Sequence, residues 1–185
     1  KVIKTGRPYI DDSFPLVNGS VITISARSGI GKSHELATLL DNVMNRDLNP
    51  DADRYVSLSV SLEMKVLSLV LRGLNKAVGK SKRKILLEGF SEDEKNLANA
   101  YYKQLMDKRY YISQVPTTPN KFYNAVHDFL SEHTDKETVF ISADHIALFG
   151  SDGGKGKNQT IEELIERTND LKMEFPNVVF IYLSQ

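Results

Sequence analysis

Apolar residues fall along this chain in two rhythms. Short unbroken runs rich in Val, Ile, Tyr or Phe occupy residues 21–25, 55–59, 110–113, 139–142 and 178–183, with a weaker one at 15–17. Runs of this length suit strands buried on both faces, because neither face has to meet water. Between them the apolar positions recur at helical spacing, first over residues 34–44. Ser91 and Glu94 have the spacing of a capping box, and Leu97, Ala98, Tyr101 and Leu105 follow on one face. Thr160 and Glu163 repeat that spacing ahead of Ile161, Leu164, Thr168 and Leu171. Thr118 followed by Pro119 reads as an N-cap with proline at the first helical position, and Phe122, Val126, Phe129 and Leu130 form the apolar face behind it. Strand and helix in alternation predict an α/β fold, a mostly parallel sheet with helices on both faces.

Two stretches break the pattern. Residues 79–84 hold Lys80, Lys82, Arg83 and Lys84 and read as a solvated loop running into a helix start. Residues 150–159 hold four glycines with Lys155 and Lys157, just after a strand, where open α/β sheets place binding loops. A plain surface loop is the alternative there.

Composition narrows the functions. A length of 185 residues fits one domain over 1–185, with 1–18 as a lead-in. Lys plus Arg, 24, equals Asp plus Glu, 24, so any basic binding surface is local rather than global. The absence of cysteine excludes disulfides, thiolate nucleophiles and Cys-type zinc sites, and suits a reducing compartment. No apolar run reaches the roughly 18 residues of a membrane span, and nothing reads as a signal peptide. A cytoplasmic protein without a membrane partner is expected.

The chemistry concentrates where the first strong strand meets a helix. Ser25, Ala26, Arg27, Ser28, Gly29, Ile30, Gly31, Lys32 and Ser33 stand there, in the place of a phosphate-binding loop. In such a loop backbone N–H groups converge on phosphates, glycines permit close approach, and the next helix contributes its positive end. Residues 26–33 are the expected nucleotide-binding segment, with Lys32 reaching the β- and γ-phosphates and Ser33 offering its hydroxyl to Mg2+. Ala26 stands where the GxxxxGKS/T pattern wants its first glycine. A nucleoside triphosphatase also needs a carboxylate near the metal and a group to orient water. Asp144 closes the apolar run at 139–142 in the Walker B manner, and Glu63 follows the strand at 55–59. A capping Asp and a first-turn helical Glu are the structural alternatives. The four histidines, His34, His127, His133 and His145, show no metal-ligand spacing.

The words around these residues resemble DnaB-type replicative helicases, a branch of the RecA-like ATPases. Ser61-Leu62-Glu63-Met64 with Arg72 beyond it, Ala143-Asp144-His145-Ile146-Ala147-Leu148, Asn158-Gln159-Thr160-Ile161-Glu162-Glu163 and Leu183-Ser184-Gln185 are each similar to a family motif. So is the approach through Thr5-Gly6 and Asp11-Asp12, and the family's Ala-Arg form of the loop accounts for Ala26. The departures at His145, Ala147 and Gln159 mark a divergent member, of phage type, which would place it in a host cytoplasm. The resemblance implies a RecA-like P-loop fold, ATP and Mg2+ as ligands, and Glu63 as the catalytic base beside Lys32. It makes Gln185 the sensor of the γ-phosphate and gives Lys155 and Lys157 to single-stranded DNA. It implies a hexameric ring of the full-length protein, with primase and a helicase loader as further partners. It also implies that the domain continues past Gln185 to an arginine finger, so that the fragment alone is a poor enzyme. Two other readings stand beside it: a RecA- or KaiC-like ATPase without unwinding activity, and a nucleotide-binding scaffold that recruits replication partners.

Overall fold

The computed structural model describes residues 1–27, 29–62, 66–107, 109–114, 118–151, 153–154 and 156–184. Five strands form one sheet: β1 (Val21–Ser25), β2 (Tyr55–Ser61), β3 (Tyr110–Ser113), β4 (Thr138–Asp144) and β5 (Val178–Ser184). Their order is β1-β5-β4-β2-β3, and every neighbouring pair is parallel. All five carboxyl ends therefore meet at one edge. The helices are α1 (Pro8–Ser13), α2 (Lys32–Val43), α3 (Val66–Val78), α4 (Lys82–Glu88), α5 (Glu92–Leu105), α6 (Pro119–Glu132) and α7 (Lys157–Glu174).

Alternation along the strands sorts side chains into two cores. Val56, Leu58 and Val60 of β2, with Val139, Ile141 and Ala143 of β4, face Phe122, Val126 and Leu130 of α6 and Leu164 and Leu171 of α7. On the other side Phe140, Val179, Ile181 and Leu183 meet Leu36, Leu39, Leu40 and Val43 of α2. The expected helices on both faces are thus present, and the chain has a RecA-like α/β fold.

The edges of several elements differ from expectation. The weak run at 15–17 is no strand: Leu16 makes a single antiparallel bridge with Ile3, and both side chains are taken up in covering α2. The helix expected at 34–44 starts at Lys32 and ends on Met44 as its cap. The capping box at Ser91 and Glu94 forms, and Thr118 caps α6 through the Lys121 amide. The box at Thr160 and Glu163 does not. α7 begins one turn earlier, with Gly156 as N-cap and its amide bonded to Gln159 Oε1 at 3.2 Å. Thr160 is buried inside the helix, its hydroxyl donating to the Gly156 carbonyl at 3.2 Å. Lys157, expected in a loop, is the first residue of α7 and is exposed.

Candidate functional site

The site grows from the place where β1 gives way to α2. Gly29 and Gly31 carry φ of 82° and 98°, and a Cβ at either would meet nothing within 4 Å. Such backbone is costly for other residues, so glycine is required here by conformation, and the concave side stays open to a ligand. Among the described residues the one non-glycine with positive φ is His145, so Ala26 needs no left-handed backbone. That accounts for alanine where the loop motif has glycine. By helix geometry the first amides of α2 lack intrahelical acceptors, which leaves them to a bound anion.

Lys32 folds back over the loop. Its Nζ donates to the carbonyl of Ala26 and, at 3.1 Å, to that of Arg27. Ser33 Oγ donates to Asp144 Oδ2 at 2.9 Å. This bond spans the sheet, for β5 lies between β1 and β4, and strands two places apart stand about 10 Å from one another. The first turn of α2 crosses the end of β5 to make it. Asp144 is buried at the very end of β4, in register with Ser61 of β2. His145 next to Asp144 adopts left-handed backbone, φ 68°, and turns the chain into a 3₁₀ turn at Ile146–Leu148 whose Ile146 is buried.

Lys32, Ser33 and Asp144 are therefore gathered at one edge, with Ala26, Arg27, Gly29, Ile30 and Gly31 around them. Ser28, Glu63, Lys155 and Gln185 lie outside the described residues. Ser184, one residue before Gln185, pairs in register with Ser25, and its carbonyl accepts the Ala26 amide at 3.5 Å. Among the described residues no three His, Cys, Asp or Glu side chains form a metal cage. A hydroxyl and a carboxylate 2.9 Å apart fit the way Mg2+ is held, by one or two protein oxygens with phosphate and water completing its shell.

Ser33 and Asp144 also border a cavity of about 370 Å³ between the sheet and α2, α3 and α5. Its floor is unusual for an α/β core. Ser57, Ser59 and Ser61 of β2 and Ser142 of β4 present hydroxyls there, with Ser142 Oγ donating to Ser59 Oγ at 3.1 Å. Tyr101 and Tyr110 stand in its wall, and burial pushes both phenols up, so they remain neutral.

One network escaped the sequence reading. Asp11 of α1 accepts from the Thr5 amide at 2.7 Å, the Thr5 hydroxyl at 2.8 Å and the Gly6 amide at 3.2 Å. Thr5 O accepts from Asn42 of α2 at 2.8 Å. Arg7 grips Glu35 of α2 at two points, Nε to Oε1 at 2.7 Å and Nη2 to Oε2 at 2.5 Å. The words Thr5-Gly6 and Asp11-Asp12 were visible, but a pair separated by 28 positions has no periodic signature.

Comparison with known proteins decides the family. Residues 3–185 match the family described as the DnaB-like helicase C terminal domain. The chain belongs to that family. Solved structures with the same fold include an ATPase domain at 17% identity and a TM-score of 0.78, covering 99% of this chain and 63% of that one. A DnaB-like replicative helicase, described with its interactions with primase, aligns at 14% identity and a TM-score of 0.74 over 98% of this chain and 43% of that one. The DnaB-like domain described here thus spans less than two thirds of either relative. No curated protein matches it. Among the described residues no helix is long and apolar enough to cross a membrane.

Proposed function

We propose that this DnaB-like domain is the ATP-hydrolysing motor of a ring-forming replicative helicase, in which hydrolysis drives movement on single-stranded DNA and duplex unwinding. The observation that carries the reading is the Ser33 to Asp144 hydrogen bond, which joins the helix after the glycine loop to the end of a strand two places away.

The amides of residues 26–33 would cradle the triphosphate. Lys32 would exchange the Ala26 and Arg27 carbonyls for β- and γ-phosphate oxygens, one set of acceptors replacing another. Ser33 and Asp144 would hold Mg2+, which neutralises charge on the transferring phosphoryl group when bound. Glu63 would orient or deprotonate the attacking water, and Gln185 would sense the γ-phosphate. An arginine from a neighbouring subunit would complete the site, a contribution of roughly 10³ to 10⁵ in rate where such fingers have been measured. Lys155 and Lys157 would contact the DNA backbone with little sequence preference. The hexameric ring, a primase, a loader and a cytoplasmic setting belong to the same proposal.

The test is steady-state ATP hydrolysis by the full-length parent, with and without single-stranded DNA, followed by strand displacement. Stimulated hydrolysis with displacement supports the helicase. Hydrolysis without displacement would point to a RecA- or KaiC-like ATPase, and nucleotide binding without turnover to a scaffold. Lys32→Ala is expected to abolish tight nucleotide binding. Glu63→Gln should keep binding and stop turnover, since it retains shape and removes the base. Normal turnover in the Glu63→Gln parent would end that assignment.

A further inference from the structure

Glu35 is in the first turn of α2, three positions beyond Lys32, so its side chain and that of Lys32 are neighbours on the helix surface. A carboxylate there favours the helix itself, since it faces the positive end of the dipole. It disfavours a polyphosphate at the same end. The full negative charge of Glu35 would stand within about 10 Å of the bound anion, a range that salt screens only partly at moderate ionic strength. The structure supplies an answer to this conflict in the half-buried Arg7, whose guanidinium meets both carboxylate oxygens at 2.7 and 2.5 Å.

Arg7 is in turn held from behind. Its amide donates to Thr5 Oγ1 at 3.2 Å, and Thr5 is locked by Asp11 and Asn42. Gly6 takes φ 67°, and a Cβ on it would press on Asn42, so the turn that presents Arg7 is built for glycine. We propose that Arg7 is a positioning residue for nucleotide: it neutralises Glu35 and thereby lets the first turn of α2 accept a triphosphate. The inference rests on the nucleotide-binding reading above and adds residues outside the loop and the strand ends.

Neutralisation and simple bracing give different outcomes. If the charge of Glu35 is the problem that Arg7 solves, then Arg7→Ala weakens Mg-ATP binding about three- to tenfold at low salt, and raising the salt shrinks the defect. Glu35→Ala binds at least as tightly as the wild type. The double variant Arg7→Ala with Glu35→Ala returns to within about twofold of it. Calorimetric titration of Mg-ATP into the chain, with thermal melting alongside, reads all of these. Equal losses in both single variants without recovery in the double, or a fall in melting temperature with unchanged affinity, would overturn the proposal. Should Arg7→Ala fail to fold, Glu35→Gln carries the test alone, and weaker binding by it overturns the proposal equally. Lys32→Ala, run in parallel, separates the two layers. Loss of binding in Lys32→Ala but not in Arg7→Ala defeats this inference only, whereas wild-type binding by Lys32→Ala defeats the nucleotide reading beneath it.

Discussion

At the scale of residues, polar side chains at the ends of elements do much of the positioning. Asp107 and Arg109 sit at the start of β3 as a two-point pair, Arg109 Nη2 to Asp107 Oδ2 at 2.8 Å and Nε to the same carboxylate at 3.0 Å. Arg109 also donates to the Ala52 carbonyl at 2.8 Å, tying the strand to the turn before β2. The hydrogen bonds from Arg109 hold the Asp107 carboxyl below its usual range. A depressed carboxylate contributes stability that is complete above its unfolded pKa near 4 and disappears as pH falls through its folded value. Asp107→Asn should therefore cost about 1 kcal/mol at neutral pH. Urea titrations repeated in acid should show the wild type and the variant converging. A difference that persists below both pKa values would mean that packing, not charge, holds this corner.

At the scale of elements, α7 is fastened to β5 by a buried chain of hydroxyls. Thr168 Oγ1 bonds the Leu164 carbonyl at 2.7 Å and Tyr182 Oη at 2.6 Å. With the threonine proton directed at Leu164, tyrosine is the donor to threonine. Burial pushes the Tyr182 phenol far up, so it stays protonated at any ordinary pH. Thr168→Val leaves that phenol buried without an acceptor and should cost about 1–3 kcal/mol, against about 0.5–1.5 for Tyr182→Phe, which leaves threonine still bonded. Equal costs in chemical denaturation would contradict this assignment of the donor.

The same helix shows what the sequence could and could not tell. Its apolar face, Leu164, Thr168 and Leu171, was legible from spacing, as were all five strands and the caps at Ser91 and Thr118. Its start was not. The Thr160-Glu163 spacing satisfies a local rule, yet burial of Thr160 against the core favours one more turn, and Gly156 with Gln159 closes the helix instead. α1 was missed because none of its residues is buried and so it has no amphipathic stripe. At the candidate site, Lys32, Ser33 and Asp144 were readable because glycine spacing and strand-end carboxylates carry their chemistry locally. Arg7 and Glu35 were not, since only the folded chain brings them together.

At the scale of the whole molecule, the parallel sheet puts every strand's carboxyl end on one rim, and the loops that leave this rim are where work on a second ligand would be done. Replacing Lys155 and Lys157 by alanine in the full-length parent should weaken single-stranded DNA binding. The slope of log affinity against log salt should flatten by about 0.7 for each phosphate no longer neutralised. Nucleotide affinity should not change. An unaltered slope would take these lysines out of the DNA contact.

The helices around the sheet are not alike in firmness, and α2 on one side is as deeply seated, with four buried residues, as the two helices on the other. α6 and α7 each bury four residues. α3 buries only Val78, α5 buries none, and the two lean chiefly on each other, with Tyr101 set against Gly73. Beneath them lie serines and open volume instead of interlocked aliphatics. Amide protons of α3 and α5 should accordingly exchange with solvent well before those of α6 and α7, and slow exchange throughout would refute this contrast. If it holds, Ser33 and Asp144 sit on a seam between an anvil and a spring. A push on the α3–α5 pair would reach the rim without denting the helices that are firmly seated.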